Sequence, residues 1–242
     1  MPTVDWNRRT WGEEHRWAEE GDEWSGMAAA CGQPYESWKS ALIEALLLPY
    51  VNGDSVAVEI APGHGRWAET LVQVARSITL VDLNPDCLEA CRQRFAGRKN
   101  VGYHLNGGRT LPNEASSVDF VWSFDSFVHM ELDVISQYLC EISRVLRRGG
   151  IAVLHHADKR PVPERLRDVA GRMGSPGTAA LRLAQQGRLR DTGNRSEVSA
   201  AQVAAAAEAA GLRVLLQLDR WGPGGRYTVA KYHDAMSVIS KP

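Results

Sequence analysis

The sequence predicts an α/β fold in which helices cover both faces of a doubly wound, mostly parallel β-sheet. Short apolar runs alternate with segments of helical periodicity from residue 56 onward. This alternation is typical of parallel strands joined by crossover helices. In addition, a glycine turn follows the first run and an acidic residue ends the second. Ligands of such sheets bind outside the carboxyl ends of the strands, where both features lie.

Each predicted element has a local signal. Pro85 stands at the start of one helix with Asn84 as its cap, and Ser199 and Gly211 bound another. Gly149 turns the chain into the fifth strand. The predicted strands are residues 56–61, 77–82, 101–105, 118–123, 151–155, 212–221 and 226–233, the last two forming a closing hairpin. The predicted helices are residues 38–48, 66–75, 85–95, 133–146 and 200–210.

The turn after the first strand indicates an adenosine-type cofactor. Gly63 and Gly65 allow the backbone to approach a ligand closely. Asp82 ends the second strand, where a carboxylate can accept hydrogen bonds from both hydroxyls of a ribose. The turn also fits the dinucleotide fingerprint of NAD-binding proteins. Glu59, however, places an acid within a strand that is normally apolar in such proteins.

Five segments, in order, resemble the motifs of class I methyltransferases that use S-adenosylmethionine (SAM). Glu59-Ile60-Ala61-Pro62-Gly63-His64-Gly65 resembles motif I, with Ala61 in place of the first glycine. The others are Val81-Asp82-Leu83-Asn84, Asn106-Gly107, residues 117–123 and residues 144–150. The resemblance covers residues 56–157. It implies a Rossmann-like sheet of seven strands with an antiparallel last strand, and SAM as the cofactor.

The resemblance assigns these motifs to parts of SAM. Glu59 is expected to organise the glycine turn and face the cationic end of the cofactor, Asp82 to bind the ribose, and Asn106 to lie against the adenine. Phe124 and Asp125, just beyond the fourth strand, are expected to contact the methionine part. The predicted cofactor-binding residues are Glu59, Ala61, Gly63, Gly65, Asp82, Leu83, Asn106, Gly107, Phe124 and Asp125.

Three histidines are the candidate catalytic residues. Transfer to a hydroxyl requires a base, and an imidazole with a reference pKa of ~6.5 can be neutral at working pH. His129, beyond the fourth strand, is the first candidate, and His155 and His156 end the fifth strand. The alternative for each is a structural role in packing. No spaced ligand motif accompanies them, so no metal site is predicted, and a site formed by these histidines with Asp125 or Asp158 is the less favoured alternative.

The segments outside the alternating core are expected to cover the site. Residues 1–50 form a predicted helical cap with five of the eight tryptophans, of which Trp11 and Trp17 are candidate substrate contacts. Residues 158–196 form a predicted lid insertion with Pro and Gly breaks and an excess of arginine. Arg160 is its candidate substrate contact, and a solvated basic surface is the alternative explanation of the charge.

Bulk composition narrows the class of protein. A chain of 242 residues with a net charge of −1 fits one domain, residues 1–242, without the basic character of nucleic-acid-binding proteins. Four scattered cysteines, and no leader or membrane-length apolar segment, predict a cytoplasmic protein. We therefore expect a small-molecule substrate and no nucleic-acid or membrane partner, with a homodimer left open.

The predicted function is methyl transfer from SAM to a hydroxyl or amino group of a small molecule, such as a sugar or a natural-product intermediate. The alternatives are an N-methyltransferase, an NAD(P)-dependent oxidoreductase, an RNA methyltransferase and an inactive SAM-binding protein. The long segment before the first strand counts against the oxidoreductase. The intact set of Glu59, Gly63, Gly65 and Asp82 counts against an inactive protein.

Overall fold

One mixed β-sheet organises the computed structural model, which describes residues 3–15, 28–29, 31–159, 172–176 and 195–242. Seven strands of these residues form the sheet, and two further strands form a separate hairpin. In chain order the strands are β1 (Val56–Ile60), β2 (Ser77–Asp82), β3 (Val101–Leu105), β4 (Val118–Ser123), β5 (Leu146–Ala157), β6 (Arg213–Leu218), β7 (Arg220–Trp221), β8 (Tyr227–Thr228) and β9 (Asp234–Ser240). The hairpin consists of β7 and β8.

Two of the described helices begin at a residue whose side chain caps the first turn. Thr3 caps the first helix by accepting a 3.1 Å hydrogen bond from the Trp6 amide, and Ser199 and Gln202 form a capping box at the last. The helices are α1 (Val4–Arg9), α2 (Tyr35–Leu46), α3 (Ala68–Val74), α4 (Pro85–Arg94), α5 (Leu132–Val145) and α6 (Ala200–Ala209). A π-helical turn, Thr10–Glu14, follows α1, and 3-10 turns span Leu48–Tyr50, Phe127–His129, Pro223–Gly225 and Ala230–Tyr232. No helix within the described ranges is long and apolar enough to cross a membrane.

The strand order places a topological switch point beside β1. The order is β3-β2-β1-β4-β5-β9-β6. β9 runs antiparallel to both of its neighbours, and the other pairs are parallel. This confirms the predicted seven-stranded, mostly parallel sheet with an antiparallel last strand. Because β1 lies between β2 and β4, the carboxyl ends of these three strands face one crevice.

The end of the chain differs from the predicted closing hairpin of strands 212–221 and 226–233, which is wrong in its bounds. β6 ends at Leu218, and the two predicted strands pair only in the short β7–β8 hairpin. The last sheet strand is β9, which lies between β5 and β6 and is buried along almost its whole length. Asp234 and Ser237, both buried polar residues, interrupt the apolar pattern by which this strand could have been predicted.

Apolar side chains pack on both faces of the sheet and form its two core layers. On one face the Trp38 and Trp67 rings lie 6.2 Å apart and the Trp67 and Trp122 rings 5.7 Å apart. On the other face, Ile142 of α5 and Val203 of α6 are fully buried. The predicted N-terminal cap therefore contributes Trp38 to the core. Residues 160–171 and 177–194 of the predicted lid lie outside the described residues.

Candidate active site

A cavity of about 580 Å³ lies at the carboxyl ends of β1, β2 and β4. The turn after β1, the end of β2 and the segment after β4 form much of its wall, and the N-terminal segment 3–15 forms another part. The lining residues are Val4, Asn7, Thr10, Trp11, Glu14, His15, Ile60, Ala61, Pro62, Gly63, Arg66, Trp67, Val81, Asp82, Leu83, Asn84, Cys87, Asn106, Gly108, Phe124, Asp125, Ser126, Met130, Val134 and Tyr138.

The turn after β1 brings backbone to the cavity. Ala61 and Gly63 line it, and both have left-handed backbone with a φ of 56°. A left-handed alanine is strained, and a 2.7 Å hydrogen bond from its amide to the Val81 carbonyl helps to hold it. Gly65 does not line the cavity. A Cβ there would lie 2.8 Å from the Phe95 ring, so Gly65 instead allows the end of α4 to pack against the turn.

Asp82 ends β2 as a buried carboxylate in the cavity wall. It accepts hydrogen bonds from the amides of Asn84 (2.9 Å) and Gly63 (3.4 Å). Burial raises the pKa of Asp82 to about 6, because these bonds offset only part of the loss of solvent. Leu83 lines the cavity beside it. The Asp82 carboxylate, which can accept hydrogen bonds from a ligand, is thus tied to the glycine turn by the Gly63 amide.

Glu59 is buried within β1 and does not line the cavity. Its Oε2 has no hydrogen-bond partner among the described residues. Burial raises the pKa of Glu59 to about 8, against the opposing effect of the nearby Arg66 guanidinium. With a pKa of about 8, Glu59 is largely protonated at neutral pH as long as no charged ligand occupies the cavity.

Asn106 lines the cavity, but its amide is engaged within the protein. Its Nδ2 donates to the Thr110 carbonyl and to Tyr138 Oη, both at 3.0 Å, and its Oδ1 accepts from the Gly108 amide at 3.0 Å. Only acceptor capacity on Oδ1 remains for a ligand. Gly107 does not line the cavity, whereas Gly108 does. The sequence reasoning missed Gly108, which has a φ of +87° and whose Cβ would lie 2.9 Å from the Leu83 and Val4 side chains, so a side chain there would be strained.

Arg66 and Asp125 place opposite charges in the cavity wall. Arg66 is buried, forms no ion pair with any described residue, and its Nε lacks a hydrogen-bond partner among them. Its guanidinium lies 5.2 Å from the Trp67 ring and 5.8 Å from the Phe124 ring. Sequence reasoning missed Arg66, although a cation directly after a glycine turn was an available signal. Asp125 has a left-handed φ of 60°, and its Oδ1 lies 3.2 Å from Arg195 Nη2.

The three candidate catalytic histidines are buried and none lines the cavity. His156 contacts Ser237 Oγ through Nε2 (2.6 Å) and the Ala157 carbonyl through Nδ1 (2.8 Å), and burial lowers its pKa to about 4. His155 Nδ1 accepts a 3.0 Å hydrogen bond from the Asp125 amide. Because the ring nitrogens of His156 are engaged in the core, and Nδ1 of His155 is engaged too, these contacts argue against both as bases.

His129 lies next to the cavity under the N-terminal segment. Its ring is 5.0 Å from the ring of Trp11, which lines the cavity, and 6.3 Å from that of Trp6. The His129 carbonyl accepts a 2.7 Å hydrogen bond from Asn7 Nδ2. An acceptor can therefore reach the imidazole only if the N-terminal segment shifts.

A comparison with protein-family models matches residues 57–150 to the family described as a methyltransferase domain. This part of the chain therefore resembles a methyltransferase domain. The match confirms the predicted enzyme class and cofactor, a SAM-dependent methyltransferase, at the level of the domain. It does not distinguish among acceptors.

Two curated relatives and one solved structure resemble the chain beyond this match. A demethylmenaquinone methyltransferase of Tropheryma whipplei (strain Twist) is 26% identical over 117 residues, which cover 48% of this chain and 46% of that protein. Phosphoethanolamine N-methyltransferase 1 of Caenorhabditis elegans is 25% identical over 114 residues, covering 47% and 24%. The aligned part thus spans less than half the length of either relative. The structure of the PH0226 protein from Pyrococcus horikoshii OT3 shares the fold, with a TM-score of 0.60, 18% identity, and coverage of 98% of this chain and 99% of that chain.

The residues that line the cavity fit SAM. A ribose needs an acceptor for its two hydroxyls, and the buried Asp82 carboxylate supplies one. The amino-acid end of SAM carries a carboxylate and an ammonium group, which complement Arg66 and Asp125. The buried Arg66 guanidinium without an ion-pair partner in the described part of the chain is the observation that most calls for an anionic ligand. Among the described residues, no group of three His, Cys, Asp or Glu side chains could hold a metal ion.

The N-terminal segment packs directly on the part of the chain that matches the family. Trp11 Nε1 donates a 3.1 Å hydrogen bond to Asn7 Oδ1. Gly12 lies so close to Asn84 that a Cβ would be 2.6 Å from Asn84 Oδ1. Trp11, a predicted substrate contact, thus lines the cavity. The other two predicted substrate contacts, Trp17 and Arg160, lie outside the described residues.

Proposed function

We propose that the protein transfers a methyl group from SAM to a hydroxyl or amino group of a small molecule, with a sugar or natural-product intermediate as the expected acceptor. The observation that carries the proposal is the cavity at the switch point, whose wall combines Asp82 with Arg66 and Asp125. β2 and β4 flank β1, so Asp82 and the start of the segment after β4 lie about 10 Å apart, or two strand spacings. That span suits a ligand with a ribose at one end and an amino acid at the other.

Each of these side chains has a distinct role in the proposal. Asp82 accepts the ribose hydroxyls, Arg66 binds the carboxylate of the methionine part, and Asp125 accepts the ammonium group. The Ala61–Gly63 backbone allows the ligand to approach β1 closely. SAM supplies an electrophilic methyl group when bound. The protein residues orient the cofactor and, with the N-terminal segment, limit the access of water.

A hydroxyl acceptor requires a residue that takes its proton, and His129 remains our proposed base. Its ring contacts Trp11 in the cavity wall, which supports a position near the acceptor. An amine that is already neutral would need orientation alone. The identity of the acceptor atom therefore decides whether His129 is catalytic.

Residues 3–15 form part of the cavity wall, which supports our proposal that the acceptor is a small molecule. The net charge of −1 gives no overall attraction for a polyanion, so we propose no nucleic-acid partner. A cytoplasmic location remains a prediction, and so does the alternative of a homodimer.

Ligand-induced thermal stabilisation tests the cofactor assignment for the whole protein. SAM or its product S-adenosylhomocysteine (SAH) at 100 times its dissociation constant should stabilise the protein by about 2.7 kcal/mol. NAD and NADP should not raise Tm. Stabilisation by a nicotinamide dinucleotide and not by SAH would contradict the proposal and favour the oxidoreductase. Transfer of a labelled methyl group from SAM to a library of hydroxy and amino compounds would then identify the acceptor class.

A further inference from the structure

A buried polar network lies behind the cavity wall at Asp125. It consists of Asp125, His155, Arg195 and Asp234, which we call the Arg195 network. Arg195 Nε lies 2.9 Å from each carboxylate oxygen of Asp234, and Nη2 lies 3.2 Å from Asp125 Oδ1. His155 Nε2 lies 3.2 Å from Asp234 Oδ2. The network joins the ends of β4 and β5, the start of β9, and the chain just before α6.

The backbone of Asp125 is held in an unfavourable conformation by the same network. Its φ of 60° lies in the left-handed region, which costs free energy in residues other than glycine. The Asp125 amide donates a 3.0 Å hydrogen bond to His155 Nδ1, and the His155 ring stacks on Phe124 with centroids 4.2 Å apart. The amide and the carboxylate of Asp125 are thus held by His155 and Arg195, two side chains that do not line the cavity.

We propose that Arg195 is a positioning residue that holds the Asp125 carboxylate in the cavity wall, ready for the ammonium group at the amino-acid end of the cofactor. The inference rests on the proposed function, and it adds a residue that has no contact with the cavity itself. The bridging geometry supports it, because one guanidinium contacts two carboxylates from different elements. Lysine has a single nitrogen and cannot reproduce this bridge.

The charges around Asp125 favour its ionised form. Burial opposes ionisation and is the largest single effect, but the Arg195 guanidinium and three weaker contributions together outweigh it, so the pKa of Asp125 lies below its usual value. His155, His129 and Arg66 act in the same direction, and Asp234 is the other acid in the network. Without Arg195 the pKa of Asp125 should rise, since burial would remain. The ammonium contact would then be lost as the pH falls through that higher pKa.

The test compares SAH with 5′-methylthioadenosine (MTA), which keeps the adenosine and sulfur and lacks the amino acid. Binding of each ligand is measured by calorimetry between pH 5 and pH 8. The ratio of the two affinities reports on the amino-acid end, because titration of Asp82 affects both ligands. Arg195→Gln combined with Asp234→Asn removes the guanidinium together with one of the buried carboxylates it contacts. Asp234→Asn alone is the matched control, in which Arg195 and Asp125 stay together.

We expect Asp234→Asn to keep the wild-type ratio of SAH affinity to MTA affinity at each pH. In the double variant the ratio should fall on the order of tenfold at neutral pH and further toward pH 5, as for loss of a hydrogen bond to a charged group. Arg195→Lys should give an intermediate ratio. A folded double variant, or a folded Arg195→Lys, with the ratio and pH profile of the control would overturn the proposal. Failure of both to fold while the control folds would also overturn it, since Arg195 would then maintain the fold.

Different results would contradict the proposed function. If wild-type protein binds neither SAH nor MTA, the cofactor site is wrong. If it binds both and Asp125→Asn keeps the wild-type ratio, Asp125 does not serve the amino-acid end, and the inference about Arg195 falls with that assignment.

Discussion

Arg66 is a buried cation whose charge is not matched by an ion pair within the described residues. If it binds the carboxylate of the cofactor, Arg66→Gln should weaken SAH by at least tenfold, or ~1.4 kcal/mol, and leave MTA unchanged. Calorimetry with both ligands measures this. Arg98→Gln, at an exposed position after α4, is the control and should affect neither ligand. Equal losses for SAH and MTA would show that Arg66 supports the fold of the turn instead.

His129 is the proposed base that takes the proton of a hydroxyl acceptor. With a verified hydroxyl acceptor, His129→Ala should lower kcat by ~10²–10⁴-fold and leave SAH affinity nearly unchanged, because a base acts at the transfer step. Steady-state kinetics and calorimetry separate the two effects. With a neutral amine the loss should be much smaller. Full activity of the variant on a hydroxyl acceptor would remove His129 from the mechanism.

We expect Glu59 to make the stability of the ligand-free protein depend on pH. Its pKa rises from an ordinary 4.5 to about 8, so the folded protein keeps a proton that the unfolded chain releases between these values. Stability contributed by Glu59 is therefore present at low pH and lost as the pH rises through this window. Glu59→Gln should gain Tm relative to wild type between pH 5 and pH 8. Glu114→Gln, at an exposed position, should not. A constant Tm difference for Glu59→Gln would contradict the account.

At the scale of elements, the N-terminal segment should contribute more to ligand retention than to stability. Neither α1 nor the π-helical turn after it contains a buried residue, yet the segment lines the cavity. Gly12→Ala would place a Cβ 2.6 Å from Asn84 Oδ1, so that the segment or the Asn84 side chain must shift. We expect weaker SAH binding in calorimetry with a change in Tm no larger than that of Gly53→Ala, whose Cβ would meet no atom within 4 Å. Unchanged SAH affinity would show that the segment does not hold the ligand.

Most elements could be predicted because their signals are local. The runs that became β2, β3 and β4 have the predicted bounds, and α4 begins at the predicted Pro85. β9 could not be predicted in the same way, since its buried Asp234 and Ser237 resemble loop residues until their partners are known. One partner of Asp234 is Arg195, thirty-nine residues away. The residues next to Asp234 in the sequence therefore give no sign of this ion pair or of the burial of β9.

At the scale of the whole molecule, the switch point between β2, β1 and β4 explains why the motif residues meet in one cavity. Sequence motifs predicted Asp82, Ala61, Gly63 and Asp125 at this edge, and all four line it. They could not predict that His155 and His156 would be buried away from it, because alternation along a strand gives two faces without identifying which is covered. They also could not predict the engaged amide of Asn106, which depends on Tyr138 of α5.

The central claim is that this cavity binds SAM with its ribose on Asp82, and titration of SAH into the wild-type protein and Asp82→Asn tests it most directly. The wild type should bind SAH at one site, more tightly at pH 7 than at pH 5, because the Asp82 carboxyl has a pKa of about 6 before the ligand binds. Asp82→Asn should lose at least tenfold in affinity, or ~1.4 kcal/mol, and most of the pH dependence. Asp86→Asn, at an exposed position of α4, should bind like the wild type. Absence of SAH binding, or equal affinity of the wild type and Asp82→Asn at pH 7, would contradict the claim.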